Sequence, residues 1–137
     1  MKKITVAVAL DDECGMMFNN RRQSRDRVMI AELLNSTDRS IYIHPYSAML
    51  FGDCERVVIS NDPLAECEDG CIAFIEQLPI MPHLHSVERF IIYRWNRLYP
   101  ADKYFDIDLE KSGFELKSQF DFEGSSHERI TKGIYER

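Results

Sequence analysis

The apolar segment near the amino terminus constrains the fold more than any other part of the sequence. Residues Ile4–Leu10 (ITVAVAL) are rich in β-branched side chains, and almost all of them are apolar. Such a strand is typical of the centre of a sheet that is buried on both faces. Acidic residues 11–13 follow at once, so the segment predicts an internal strand and not a signal peptide.

Helical and extended patterns alternate over the next eighty residues or so. Ser24 is a suitable N-cap, and Asp26 suits a first turn, so we predict a helix over 25–34. Residues 16–23 have no clear period and are interpreted as a loop, and two prolines disfavour a regular helix over 78–85. Short apolar runs predict strands over 41–43, 57–59, 71–75 and 89–93, with helical turns over 47–51 and 63–67.

The carboxyl-terminal part of the chain follows a different pattern. Residues 113–122 alternate loosely, and a second extended run covers 130–135, which predicts an antiparallel hairpin. Strands that alternate with helices and then end in a hairpin predict an α/β fold with a central mixed sheet. The 137 residues contain no repeat and no linker, so we expect a single domain over 1–137.

Charge and cysteine content narrow the classes of function. The formal net charge of −6 makes a nucleic-acid partner unlikely on electrostatic grounds, because such binding requires a basic surface. No apolar stretch is long enough to cross a membrane, so we expect a cytoplasmic protein with reduced thiols. Cys67, Cys71, His83 and His85 have a spacing that zinc tolerates, but Cys71 opens an apolar strand, and we expect neither metal nor cofactor.

Several short segments resemble dihydrofolate reductase. The likeness is carried by the order of elements and by segments 6–11, 15–16, 90–93, 101–105, 113–116 and 134–137. The resemblance implies a three-layer dihydrofolate reductase-like fold. It also places Asp26 at the position of that family's catalytic carboxylate.

The sequence departs from that family where the enzyme binds NADPH. A Gly-Gly turn after a central strand lets bare backbone approach the cofactor phosphates, but here strand 71–75 is followed by Glu76 and Gln77. The family's Gly-Arg-x-Thr turn corresponds to residues 44–47 (HPYS), which contain no arginine. These departures predict a truncated reductase fold without NADPH-dependent catalysis.

Segments 21–27 (RRQSRDR), 93–102 (YRWNRLYPAD) and 124–128 (GSSHE) resemble a small uncharacterised bacterial family. Its members often carry the label ribonuclease Z. The nuclease of that name binds two metal ions through His-x-His-x-Asp-His, and residues 83–88 (HLHSVE) lack the aspartate and the last histidine. An RNA-processing enzyme is therefore the least favoured function.

Arginines beside the predicted helix form the strongest candidate binding site. Arg21, Arg22, Arg25 and Arg27 lie close together, and a phosphate or carboxylate could bind them at the helix N-terminus. The alternative is a solvated loop in which the arginines pair with acidic residues 11–13.

Other polar and aromatic residues are candidate ligand contacts. Trp95 is close to two arginines and could stack on a planar ligand, or else belong to the core. His44 and Tyr46 follow a central strand, where α/β sheets place ligands, although a tight turn explains them equally well. His127 follows two serines in a segment that favours a flexible loop over a catalytic triad, because side chains adjacent in sequence rarely converge.

The sequence favours a protein that binds a small anionic or nucleotide-like ligand in a remnant reductase cleft. Asp26 is the one candidate for catalysis. An alternative is an interaction module that forms a homodimer through exposed apolar surface. The predicted ligand-binding residues are Arg21, Arg22, Arg25, Asp26, His44, Tyr46, Trp95 and His127.

Overall fold

A seven-stranded sheet forms the centre of the computed structural model, which describes residues 2–137. The sheet strands are β1 (Ile4–Leu10), β4 (Ile41–Ile43), β5 (Val57–Ile59), β6 (Ile72–Phe74), β7 (Val87–Arg94), β9 (Glu115–Phe122) and β10 (Ile130–Glu136). A second, three-stranded sheet consists of β2 (Gly15–Phe18), β3 (Arg21–Arg22) and β8 (Lys103–Tyr104). The helices are α1 (Arg27–Asn35), α2 (Ala48–Phe51) and α3 (Pro63–Glu66), with 3-10 turns over Pro45–Ser47 and Met81–Ser86.

Strand β1 lies at the centre of the large sheet, whose order is β5-β4-β6-β1-β7-β10-β9. The strands from β5 to β7 in this order are parallel. Strand β10 pairs antiparallel with both β7 and β9 and closes the sheet as a hairpin. The predicted α/β class, central mixed sheet and carboxyl-terminal antiparallel hairpin are confirmed.

Apolar layers cover the sheet on both faces. Along β1, Val6 and Val8 belong to one core cluster and Ala7 to the other, as the period of a strand requires. Helix α1 packs its buried face on the Ala7 side, and Leu64 of α3 packs on the Val6 side. None of the helices described over residues 2–137 has the length and apolar character needed to cross a membrane.

The structure corrects the prediction for residues 16–23 and for the start of α1. The predicted loop contains β2 and β3, which are too short to show a period in sequence. Helix α1 begins at Arg27 and not at residue 25, because Asp26 has extended backbone angles and caps the helix. The predicted N-cap, Ser24, lies before the cap and is free to make other contacts.

Candidate functional site

Polar residues collect at the edge of the sheet where the parallel strands end. Glu76 follows β6, Trp95 follows β7, and α1 begins after β3. His127 reaches the same edge because it lies in the loop before β10, which runs antiparallel to β7. Ligand sites in α/β proteins form at this edge, since the loops that leave the strands converge there.

Asp26 uses one carboxylate oxygen to begin α1. Its Oδ1 accepts the backbone N–H of Val28 at 2.9 Å and that of Met29 at 3.2 Å. These are amide groups that a helix leaves without an internal partner. The side chain is therefore part of the helix cap, and only 2% of Asp26 is exposed.

The same carboxylate binds the loop before β10. Ser125 donates its backbone N–H to Oδ1 at 2.9 Å, and Oδ2 accepts the Ser126 N–H at 2.7 Å and Nδ1 of His127 at 3.0 Å. Burial opposes ionisation, but these hydrogen bonds outweigh it and hold the pKa of Asp26 well below its usual range. Protein donors therefore occupy both oxygens of an ionised carboxylate.

His127 is enclosed by aromatic and polar partners. Its ring stacks on Trp95 with the centroids 4.4 Å apart and an angle of 17° between the planes. Its Nε2 lies 3.0 Å from the hydroxyl of Ser24 and 3.0 Å from that of Tyr99. The flexible-loop interpretation is wrong for His127, which is 5% exposed.

A second polar network lies across the cleft from Asp26. Arg22 forms a bidentate ion pair with Glu76, with nitrogen–oxygen distances of 2.8 and 3.0 Å. Glu76 also accepts the hydroxyl of Ser47 at 2.6 Å, and Arg22 lies over the ring of Tyr46 at 4.5 Å from its centroid. The arginine therefore pairs with Glu76 and not with the acidic residues 11–13.

His44 and Tyr46 support this ion-pair network. Nδ1 of His44 accepts the backbone N–H of Tyr46 and caps the 3-10 turn that follows β4. The Tyr46 hydroxyl accepts the backbone N–H of Arg22 at 2.8 Å, and its carbonyl accepts the guanidinium at 3.0 Å. Both residues thus hold Arg22 in place.

The cleft between the two networks is nearly full. Its cavity volume is about 20 Å³, which is room for about one water molecule. The lining side chains include Met29, Leu50, Phe74 and the Arg22–Glu76 pair. A ring-sized ligand would have to displace some of them.

An open groove of about 400 Å³ adjoins this cleft beside the start of α1. Its volume is in the range of small-molecule sites. Arg25 and Arg27 are exposed and lie within the groove, and within residues 2–137 neither forms an ion pair. The remaining lining residues are Asp26, Ile30, Met49, Leu50, Ser125 and Ser126.

The structure divides the predicted site residues among four places. Asp26, Trp95 and His127 form one contact cluster, and Arg22, His44 and Tyr46 belong to another. Arg25 lies in the open groove, whereas Arg21 lines a separate groove beside Tyr99. The eight predicted residues thus do not surround one cavity.

No cluster of three or more His, Cys, Asp or Glu side chains within residues 2–137 could hold a metal ion. Burial raises the pKa of the Cys67 thiol to about 12, so this sulfur stays protonated.

The fold is similar to a solved dihydrofolate reductase from Enterococcus faecalis, complexed with NADP(H) and RAB-propyl. The TM-score is 0.69 at 9% identity, and the match covers 98% of this chain and 96% of that chain. No family model matches the sequence, and no curated protein matches it. The dihydrofolate reductase-like fold is therefore confirmed, while the resemblance to the small bacterial family stays a prediction.

Sequence reasoning missed the roles of Ser24, Tyr99 and Ser126. Ser24 matches the sequence pattern of an N-cap, and nothing near it in the sequence indicates its contact with the imidazole of His127. In the sequence, Glu76 is only a departure from the family's glycine turn, whereas in the structure it fixes Arg22. The signal that could have found this pair is an acidic residue ending a buried strand, since such a charge requires a partner.

Proposed function

We propose that this protein binds a small anionic or nucleotide-like ligand in the groove beside α1 and does not reduce a folate with NADPH. The observation that carries the proposal is the pair of arginines, Arg25 and Arg27, that face the groove without a carboxylate partner within residues 2–137.

The charge in the groove favours an anion. Asp26 is the one carboxylate among the lining residues, and its oxygens already accept hydrogen bonds from protein groups. Two guanidinium groups therefore dominate the local potential of a protein whose net charge is −6. Guanidinium groups bind phosphate and carboxylate with two parallel hydrogen bonds.

The other groove residues suit the remainder of such a ligand. Ile30, Met49 and Leu50 supply apolar surface, and Met49 is 71% exposed. Ser125 and Ser126 also line the groove, and the Ser125 hydroxyl is bonded to Asp26 and to the backbone N–H of Arg27. A ligand that joins an anionic group to a planar or apolar part matches this arrangement of arginines and apolar side chains.

The arrangement across the cleft argues against reductase activity. The carboxylate of Glu76 follows β6, where the resemblance to the reductase family places the glycine turn for cofactor phosphates. The filled cleft leaves no room for a pteridine ring beside Asp26. Binding of NADPH or dihydrofolate would require the Arg22–Glu76 pair to separate.

Thermal-shift measurements test this proposal with adenosine monophosphate, pyrophosphate, NADPH and dihydrofolate as probes. A probe at one hundred times its dissociation constant stabilises the fold by about 2.7 kcal/mol, a shift of several degrees. We expect a shift with adenosine monophosphate or pyrophosphate that is lost in Arg25→Ala/Arg27→Ala. Arg21→Ala is the matched control, because it removes an exposed arginine from a different groove.

Two results would contradict the proposal. One is the absence of any shift with the two phosphate probes, or a shift that the double variant retains. The other is stabilisation by NADPH or dihydrofolate, which would restore the reductase interpretation.

A second proposal is self-association through β9. This strand lies at the edge of the large sheet, and seven of its eight residues are exposed, including Leu116 and Phe120. An exposed apolar edge can pair with the same strand of a second copy. We expect a concentration-dependent dimer by light scattering that Phe120→Lys abolishes, and a monomer at every concentration would contradict this.

A further inference from the structure

Ser24, His127 and Asp26 form a hydrogen-bonded chain that ligand binding alone does not require. Ser24 Oγ lies 3.0 Å from Nε2 of His127, and Nδ1 of the same ring lies 3.0 Å from Oδ2 of Asp26. We propose that this chain makes Ser24 a nucleophile for acyl transfer, with a carboxylic ester as the class of substrate. The inference goes beyond the proposed function and does not depend on Arg25 or Arg27.

The hydrogen bonds of Asp26 determine the tautomer of His127. Because the carboxylate is an acceptor at both oxygens, the ring must donate to it through Nδ1–H. Nε2 of the neutral ring then carries a lone pair that can accept a proton from the Ser24 hydroxyl. An imidazole held in this way acts as a general base toward serine.

Trp95 supports the charged form of His127 that would arise during the reaction. The indole and imidazole planes are nearly parallel, and the face of an aromatic ring attracts a cation. The stacking also restrains rotation of the imidazole. Trp95 is thus a positioning residue that keeps Nε2 directed at the hydroxyl group.

The contacts of Ser24 differ from those of a structural serine. Ser47, for comparison, is fully buried and donates to Glu76. Within residues 2–137, the hydrogen-bond partners of the Ser24 hydroxyl are the His127 ring and the hydroxyl of Tyr99, and Ser24 is half-buried in the wall of the cleft. The cavity beside this oxygen has room for about one water molecule, so an incoming ester would have to displace side chains of the cleft to reach it.

Backbone donors lie next to this hydroxyl in the chain. Within residues 2–137, the N–H groups of Ser24 and Arg25 donate to no protein acceptor. The N–H of a nucleophile or of the residue after it is a common donor to the oxyanion in acyl transfer. These two amides are available for that role.

The proposed reaction has two balanced steps. Ser24 Oγ bonds to the ester carbonyl carbon while His127 Nε2 takes the hydroxyl proton, and the alcohol then leaves with that proton as its C–O bond breaks. Water, activated by the same imidazole, attacks the acyl-serine and releases a carboxylic acid. Ser24 regains its proton, and no oxidant or reductant is required.

A fluorophosphonate probe and p-nitrophenyl acetate test this inference on the full chain. In the probe reaction, Oγ bonds to phosphorus and fluoride leaves. We expect one phosphonyl adduct, which peptide mapping places on Ser24. We also expect ester hydrolysis that falls at least about 100-fold in Ser24→Ala. Ser118→Ala is the matched control, because Ser118 lies exposed on β9.

Peptide mapping of the adduct is done on the unaltered protein, so this part of the test does not depend on whether a variant folds. An adduct elsewhere, no adduct, or equal hydrolysis by Ser24→Ala and the unaltered protein would overturn the inference. The anion-binding proposal would survive each of these results, because its readout is the thermal shift that Arg25 and Arg27 support.

Discussion

Two polar networks face each other across the filled cleft, and they differ in the group at which each one terminates. In the first, every charge of the Arg22–Glu76 pair meets a protein partner, and Ser47 and Tyr46 complete it. In the second, Asp26 is equally satisfied, but the chain continues through His127 to a hydroxyl in the cleft wall. A network in which every polar group has a protein partner stabilises a structure, whereas one that ends at a serine hydroxyl in a cleft wall can also support chemistry.

The largest expected effect comes from breaking the first network. Glu76→Ala leaves the Arg22 charge, whose side chain is 16% exposed, without its carboxylate partner, and we expect a loss of about 3 kcal/mol in the free energy of unfolding by urea denaturation. Glu115→Ala is the control, because its ion pair with Lys117 is exposed and contributes about 1 kcal/mol at most. Similar losses in both variants would show that the Arg22–Glu76 pair contributes no more stability than an exposed ion pair.

Asp26→Asn removes the negative charge that accepts hydrogen bonds from both α1 and the loop before β10. We expect a loss of about 2 kcal/mol near neutral pH, since a helix cap and charge-assisted hydrogen bonds weaken together. Because the folded pKa of Asp26 lies below the unfolded value of about 3.9, its contribution is present above that pH. It is lost as the pH falls toward the folded pKa.

Urea denaturation at a series of acidic pH values checks this pH dependence of the Asp26 contribution. The difference between the unaltered protein and Asp26→Asn should shrink as the pH falls below about 4. A difference that stays constant down to the lowest accessible pH would show that the charge of Asp26 does not stabilise the fold.

Gly124→Ala tests the contact between the loop and Asp26. A Cβ at Gly124 would lie 2.8 Å from Cγ of Asp26, which is closer than side chains pack. We expect a loss of about 1 to 3 kcal/mol, because the loop must move away from the carboxylate. Glu123→Ala, at the exposed neighbouring position, should change stability little, and equal effects would contradict the packing described for this loop.

The smallest effect is expected for Tyr99→Phe. Its hydroxyl competes with that of Ser24 for Nε2 of His127, so removing it should cost about 1 kcal/mol at most. The substitution should also leave the Ser24 hydroxyl without a competitor for Nε2, and so raise the rate at which the fluorophosphonate labels Ser24. Slower labelling would show that Tyr99 assists the nucleophile and does not compete with it.

Much of the fold could be predicted because its strands carry local signals. The apolar run in β1, the short β-branched strands and the loose alternation of the final hairpin are each visible within a few residues of sequence. The site was harder to predict because its contacts are distant in sequence. Ser24 and His127 meet only because β10 enters the sheet antiparallel to β7, and no local pattern reports that pairing.

The protonation state of His127 tests the central claim most directly. Nitrogen NMR on the 15N-labelled protein at about pH 8 distinguishes the two ring tautomers. The structure predicts a proton on Nδ1 that is bonded to Asp26, and an unprotonated Nε2 whose resonance changes in Ser24→Ala. A proton on Nε2, or a resonance that the Ser24 substitution leaves unchanged, would contradict the hydrogen-bonded chain from Asp26 to Ser24.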